Sequence, residues 1–302
     1  MRNVLSLFDG GSCLQIALKM SRIPYDQYFA SEINESAIAI TQANFPDTIQ
    51  IGDVRQVKAK DLPKIWLLSA GSPCQDFSIS GTRRGMVTAE NFEVTSLKQY
   101  LQLKRAGVKF IGQSYLFWEF IRLVRELKPK YFFFENVAKM DPKWKYIISR
   151  ELGVLPVEVN SSIMTAQNRV RLYWTNIHVL PFVEKDVRVG DIIPNAIGGY
   201  GVRGRKSKTG NKKWDMIGTT RKDGKINCLT TRKHNHGRIT LKNGSTRYLT
   251  VEEAEVIQTL PKGYTDVDGL SEAERWHMIG NGWTPVIVAH FLKGLKKDLV
   301  KK

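Results

Sequence analysis

From its first residue to about residue 180 the chain alternates short apolar runs with amphipathic ones, and few folds accept that pattern. NVLSLF, YFASEI, TIQIGDV, IWLLSAG, YFFFENV, SSIMTA and LYWTNI read as strands. Between them LQIALKMS, ESAIAITQANF and YLFWEFIRLVRELK show helical spacing, and Leu116, Phe120, Leu123, Val124 and Leu127 share one face of the last. Strand and helix in alternation predict an α/β fold, a mostly parallel sheet covered by helices on both sides. Ligands in such sheets collect at the carboxyl ends of the strands. The residues that packing explains least fall at those ends: Asp9-Gly10-Gly11, Glu32, Asp53, Pro73-Cys74 and Glu135-Asn136.

The texture changes between 181 and 247. Nine of the 24 glycines lie between Gly198 and Gly244, and GGYGVRGRKSKTGNKK is nearly a loop by composition, which predicts a separate, strand-poor or short-stranded module. The same segment holds 16 Lys or Arg against 5 Asp or Glu, most of the excess in a chain of net charge +17. Nucleic acid suits such a patch, because each neutralised phosphate releases counterions; a solvated basic surface is the plain alternative. Regular structure returns with LTVEEAEVIQTL, where Thr250 and Glu253 form a capping-box pattern, and with the amphipathic PVIVAHFLKGLKKDL. The expected division is therefore residues 1–180 plus 248–302 as one domain and 181–247 as another.

Cys13, Cys74 and Cys228 are widely spaced, odd in number and without C-x-x-C, which excludes a zinc ribbon or disulfide framework and favours a reducing, cytoplasmic setting. MRNVLSLFDGG does not read as a signal peptide, and no apolar run reaches the roughly 18 residues that span a membrane.

LFDGGSC sits between the first strand and first helix, where glycines let the backbone approach a ligand and the helix start offers N–H groups. A plain tight turn would look the same. Glu32 stands where such folds bind ribose hydroxyls, and Asp53 adds a third polar group to the rim. The absence of G-x-G-x-x-G counts against a dinucleotide. Pro73 fixes the backbone before Cys74, and parallel-sheet adjacency sets Glu135 beside it. Buried, inert cysteine and a capping carboxylate are the ordinary fates of those residues. Together over a cofactor site, a thiol and a carboxyl group suit a ring that accepts sulfur and needs a proton. Cytosine is such a ring.

With these residues in this order, the chain resembles the cytosine-C5 DNA methyltransferases of bacterial or phage modification type. FDGGS, Glu32-Ile33, GSPCQDFSISG, the Glu-Asn-Val of YFFFENV, QNRVRLYW and IGNGWTPVI match that family's ordered motifs over most of the length. The resemblance implies a Rossmann-like catalytic domain and S-adenosylmethionine bound by Phe8, Asp9, Gly10, Gly11, Ser12, Glu32, Ile33, Asp53, Val54 and Asn281. It makes Cys74 the nucleophile after Pro73, Glu135 the catalytic carboxyl aided by Asn136, and Arg169 and Arg171 the cations near the base. It sets Gln75, Ser78, Arg83, Arg84 and Gln167 on the DNA side. It makes 181–247 the small target-recognition domain; within it Thr230, Thr231, Arg232, Lys233 and His234 are candidate contacts to double-stranded DNA, with a solvated loop residue as the plain alternative for each. The chain is expected to act as a monomer and to hold no metal, since His234 and His236 lack companion ligands. Ser12 replaces the family's usual glycine, and residues 86–113 add a helix-like TSLKQYLQLKRAG of open role. A tRNA methyltransferase with the same core and a catalytically silent DNA-binding relative are the rival readings.

Overall fold

The computed structural model describes residues 1–73, 77, 85–206 and 214–300. It divides into two compact units: residues 1–159, 170–180 and 291–302, and residues 160–169 and 181–290.

The first unit runs β1 (Asn3–Leu7), α1 (Cys13–Ser21), β2 (Tyr28–Ser31), α2 (Glu35–Asn44), β3 (Ile49–Gln50), β4 (Ile65–Ala70), β5 (Val87–Thr88), α3 (Leu97–Arg105), β6 (Phe110–Ile111), α4 (Phe117–Leu127), β7 (Tyr131–Val137), α5 (Pro142–Leu152), β8 (Val157–Asn160) and β9 (Val170–Thr175). Seven of these strands form one sheet in the order β3-β2-β1-β4-β7-β9-β8. The first five in that order are parallel, and β9 runs antiparallel to β7. The order reverses between β1 and β4, the place where open α/β sheets hold ligands. Every residue of β1 and β4 is buried, as expected for central strands with both faces covered. On α4 the apolar face packs against β7, with Phe120 stacked on Phe134 at 5.1 Å between ring centres.

The added segment between Gly85 and Ser114 is part of this core. Tyr100 of α3 is 1% exposed and its hydroxyl donates to Glu119 of α4, a fully buried carboxylate that also takes Lys104 and, at 2.7 Å, Arg122. A buried carboxylate needs such partners, so α3 is locked to α4.

Where the sequence predicted a strand over SSIMTA, the structure has a short 3-10 turn at Ser161–Ile163, and the strand is the preceding β8. The Asn160 side chain accepts the Ser162 N–H at 3.2 Å, and this local bond turns the chain before a strand can extend.

The second unit comprises α6 (Val189–Ile192), β10 (Ala196–Lys206), β11 (Trp214–Thr220), α7 (Lys233–His236), β12 (Arg238–Leu241), β13 (Thr246–Tyr248), α8 (Val251–Ile257), α9 (Glu272–Asn281) and most of α10 (Pro285–Leu292). Its four strands form a sheet in the order β11-β10-β12-β13, all neighbours antiparallel. The expectation of a strand-poor module is corrected here, since β10 alone has 11 residues. Its glycines allow close approach of other chain: a Cβ at Gly198 would lie 2.2 Å from the Arg221 carbonyl oxygen, and one at Gly199 2.8 Å from the Ile226 Cα. Compactness also joins 160–169 and 248–290 to this unit, although their composition is ordinary.

Candidate active site

At the end of β1 the backbone turns through Phe8, Gly10 and Ser12, all with positive φ (56°, 58° and 54°). The Phe8 N–H donates to the Ser31 carbonyl at 2.8 Å, which ties the turn to β2. Just past β2, Glu32 accepts the Gly10 N–H on Oε2 at 2.9 Å and the N–H groups of Ile33 and Asn34 on Oε1 at 2.8 and 2.9 Å. A carboxylate has about four acceptor positions, so one remains for a hydroxyl. Next to it Ile33 is 64% exposed, an apolar side chain on which a flat ring would pack. Past β3, Asp53 accepts from the Arg55 N–H at 2.9 Å and the Arg55 guanidinium, which holds its carboxyl below the usual range; Val54 beside it is buried. Hydroxyl acceptor, apolar platform and second carboxylate together fit an adenosine.

Ser12, the departure from glycine, is held by its neighbours. Its Oγ donates to Asp9 Oδ2 and accepts from Gln15 Nε2 at 3.0 Å, while Tyr28 donates to Asp9 Oδ1 at 2.6 Å. A non-glycine residue in this region pays about 1–2 kcal/mol, and the bond to Asp9 offsets it. Both Asp9 carboxyl oxygens are thus engaged by protein donors. Burial pushes its carboxyl up to about 6, against the hydrogen bonds from Ser12, Ser6 and Tyr28 and with help from the Glu32 charge. A carboxyl raised in the folded state contributes stability that is present below its ordinary value and lost as pH rises through about 6. Asp9→Asn removes that titration. Relative to wild type the variant is expected to gain about 2 kcal/mol in urea unfolding between pH 4 and pH 8, and a pH-independent difference would refute the assignment.

The other half of the site lies where β4 meets β7. Ala70 stands opposite Phe134, so Glu135 and Asn136 follow directly beside the chain leaving β4. Asn136 is buried and its Nδ2 donates to the Ser72 carbonyl at 3.1 Å and Ser72 Oγ at 3.3 Å; Ser114 Oγ donates to the Pro73 carbonyl at 3.0 Å. Asn136 therefore grips the segment before the cysteine rather than its neighbour Glu135. Cys74, Gln75, Ser78, Arg83 and Arg84 lie outside the described residues. Two described positions, one within that stretch and one at its end, meet one side chain. Phe77 is buried with its ring centre 6.2 Å from that of Trp144, and a Cβ at Gly85, where φ is +71°, would fall 2.0 Å from the same indole.

Glu135 Oε1 pairs with Arg171 Nε at 3.0 Å. Arg171 comes from β9, opposite Val137, so the pair spans the antiparallel strands diagonally.

Arg169 belongs to the second unit and is 2% exposed. Its Nη1 donates to the Leu229 carbonyl at 2.9 Å and its Nη2 to the carbonyls of Gly280 and Gly282 at 3.1 and 2.8 Å. Gln167, expected on the DNA side, is fully buried; it donates to Gln258 at 2.5 Å and accepts the Leu229 N–H at 3.0 Å. Both ends of its amide thus have protein partners in this structure. In the 230–234 segment Arg232 and His234 are exposed, while Thr230, Thr231 and Lys233 are half-buried. Lys233 pairs with Glu272 at 2.5 Å. Asn281, exposed at the end of α9, lies 3.2 Å from His277 Nε2. Among the described residues no three His, Cys, Asp or Glu side chains form a metal cluster, and no helix is long and apolar enough to cross a membrane.

The sequence reading missed Trp144 and Tyr28. Neither has a local signal, because each matters only through a partner distant in sequence.

The family model of the C-5 cytosine-specific DNA methylases matches residues 2–178, and the chain belongs to that family. Type II methyltransferase M1.ScrFI of Lactococcus lactis subsp. cremoris is 25% identical over 288 residues, covering 84% of this chain and 67% of that protein. Orphan methyltransferase M.Rho11sI of Bacillus phage rho11s is 35% identical over 136 residues, 44% of this chain and only 22% of its own length. Among solved structures, Entamoeba histolytica methyltransferase EhMeth matches with TM-score 0.67 at 18% identity, covering 100% of this chain and 99% of that one. S. pombe Dnmt2 methyltransferase matches with TM-score 0.66 at 16% identity, covering 99% and 100%. Both share the fold.

Proposed function

We propose that this chain is a modification-type DNA (cytosine-5) methyltransferase of the bacterial cytoplasm or nucleoid, acting as a monomer on double-stranded DNA. The observation that carries the reading is the end of β7. There a carboxylate, Glu135, stands one residue from an asparagine that grips the Ser72-Pro73 backbone leading to Cys74.

A cytosine inside a duplex is out of reach, so the base is flipped into the site at an unstacking cost of a few kcal/mol. The Cys74 thiolate attacks C6, and the C5–C6 π electrons move to C5. Glu135, oriented by Arg171, holds the protonated N3 and the exocyclic amine, which draws electron density out of the ring. S-adenosylmethionine, when bound, supplies the electrophilic methyl group that C5 takes. Loss of the C5 proton then restores the double bond and expels the Cys74 thiolate. Phe8, the Gly10-Gly11 turn, Glu32, Ile33, Asp53 and Val54 would hold the cofactor, with Asn281 assigned by motif. Asp9 and Ser12 shape the turn. The basic second unit would grip the duplex through the 230–234 segment.

The test uses duplex DNA of mixed sequence with 5-fluorocytosine, in the presence of S-adenosylmethionine. Fluorine cannot leave C5 as a proton does, so the reaction stops with C6 bonded to the protein. A denaturant-resistant adduct on DNA is expected. An adduct on similarly substituted tRNA alone moves the substrate to RNA, and none on either leaves a nucleic-acid-binding protein without this chemistry.

A further inference from the structure

Three strands of the second unit's sheet set three side chains in a row. Arg238 of β12 stands opposite Tyr248 of β13, and the register that pairs Gly199 with Ile239 brings Tyr200 of β10 beside Arg238. Opposed residues share one face of a sheet. The guanidinium carbon lies 5.4 Å from the centre of the Tyr200 ring and 5.3 Å from that of Tyr248, both inside the roughly 6 Å reach of cation–π attraction.

The rings are themselves held. Tyr200 lies across Gly218, where a Cβ would come within 1.6 Å of its hydroxyl oxygen, so only glycine leaves room for it. Tyr248 takes the His234 ring at right angles, with centres 5.1 Å apart.

What the rings hold is a cation without an acceptor. Arg238 Nε is shielded from water and has no hydrogen-bond partner, and among the described residues no carboxylate pairs with the guanidinium. The contrast lies within the same unit. Arg188, Arg221, Arg247 and Arg275 each pair with a carboxylate, and Arg169 donates to main-chain carbonyls. The side chain is half-buried, and a guanidinium that no carboxylate meets keeps its outer N–H groups available to an incoming group that supplies the acceptors. Arg238 and Tyr200 lie in the basic segment, between residues 181 and 247, which points to DNA as that group. A phosphate also accepts two parallel guanidinium N–H bonds, and its tetrahedral oxygens can meet the fork in more than one plane. A base edge accepts only in its own plane, and guanine O6 and N7 offer two acceptors at the spacing of two guanidinium N–H groups.

We infer that Arg238, held between Tyr200 and Tyr248, reads one guanine of the recognised sequence by donating to its O6 and N7. This rests on the proposed action on DNA and adds the residue that sets part of its specificity.

Mapping methylated sites on random-sequence duplexes first gives the recognised sequence for the full-length protein. Each guanine in it is then replaced by 7-deazaguanine, which lacks N7, or by inosine, which keeps O6 and N7. At one position wild type should lose about 10- to 100-fold in kcat/KM with 7-deazaguanine and change little with inosine. Arg238→Lys keeps the charge but loses the planar fork. It should be slower on the natural site and indifferent to 7-deazaguanine at that position alone. Tyr248→Leu should lessen the same penalty. Equal loss for Arg238→Lys at every sequence, with the 7-deazaguanine penalty intact, makes Arg238 a phosphate grip and overturns the inference. Wild type indifferent to 7-deazaguanine throughout its site overturns it without any variant, so a poorly folding variant leaves the question decidable. Wild type that methylates no DNA ends the functional reading and this one together.

Discussion

Cys74→Ala is expected to lower methyl transfer by about 10⁴-fold or more and to abolish the 5-fluorocytosine adduct, with binding of S-adenosylmethionine and DNA within about threefold of wild type. The size follows from the chemistry. Without sulfur on C6, C5 of cytosine has no carbanion character and no route to a methyl group. The cofactor rim is built on β1, β2 and β3, so a change after β4 leaves its hydrogen bonds in place. Glu135→Gln retains the shape of the side chain and loses its charge, and should cost about 10²- to 10⁴-fold in kcat. The two readouts separate the roles. The glutamine variant should still form an adduct, slowly, because attack by sulfur is weakened rather than removed. Turnover by Cys74→Ala within tenfold of wild type would sink covalent catalysis, whatever Glu135 did.

The parallel half of the sheet was legible because its signals are local. Apolar runs such as IWLLSA and YFFFENV stay buried on central strands, and the Thr250–Glu253 capping box does open α8. Local signals were also overlooked. Asp141 caps α5 with Pro142 at its first position and Gly153 in the left-handed region at its end, and Ser271 and Glu274 form the capping box of α9. Each is a start or stop pattern that the sequence displays openly. Strand β10 was hidden for a different reason. Its glycines look like loop residues, and only the chain packed across Gly198 and Gly199 explains them. The site divided the same way. Motif residues could be named from spacing. That Asp9 serves Ser12, and that Asn136 serves Ser72, depends on side-chain direction, which spacing does not carry.

The two arginines of QNRVR show what that difference does, and they should separate in experiment. Arg169 bonds three main-chain carbonyls from two distant segments, 229 and 280–282, in a buried site. Lysine offers one ammonium point in place of two spread N–H pairs, so at least one of those carbonyls is left without a donor. Arg169→Lys is therefore expected to destabilise the protein by about 3 kcal/mol, seen as a lower urea midpoint, with activity at low temperature largely preserved. Arg171 pairs with Glu135 where both side chains are largely buried, and lysine at 171 keeps the positive charge that the carboxylate needs there. Arg171→Lys should leave the urea midpoint nearly unchanged, yet lower kcat by about 10-fold or more as Glu135 loses its fixed orientation. Its KM for S-adenosylmethionine should not move, because none of the rim's hydrogen bonds involves that strand. A stable but inactive Arg169→Lys would return that residue to the base, where the motif alone had set it. A destabilised but fully active Arg171→Lys would deny that the Glu135 ion pair serves the reaction, since an orienting partner cannot be removed without cost to the chemistry it orients.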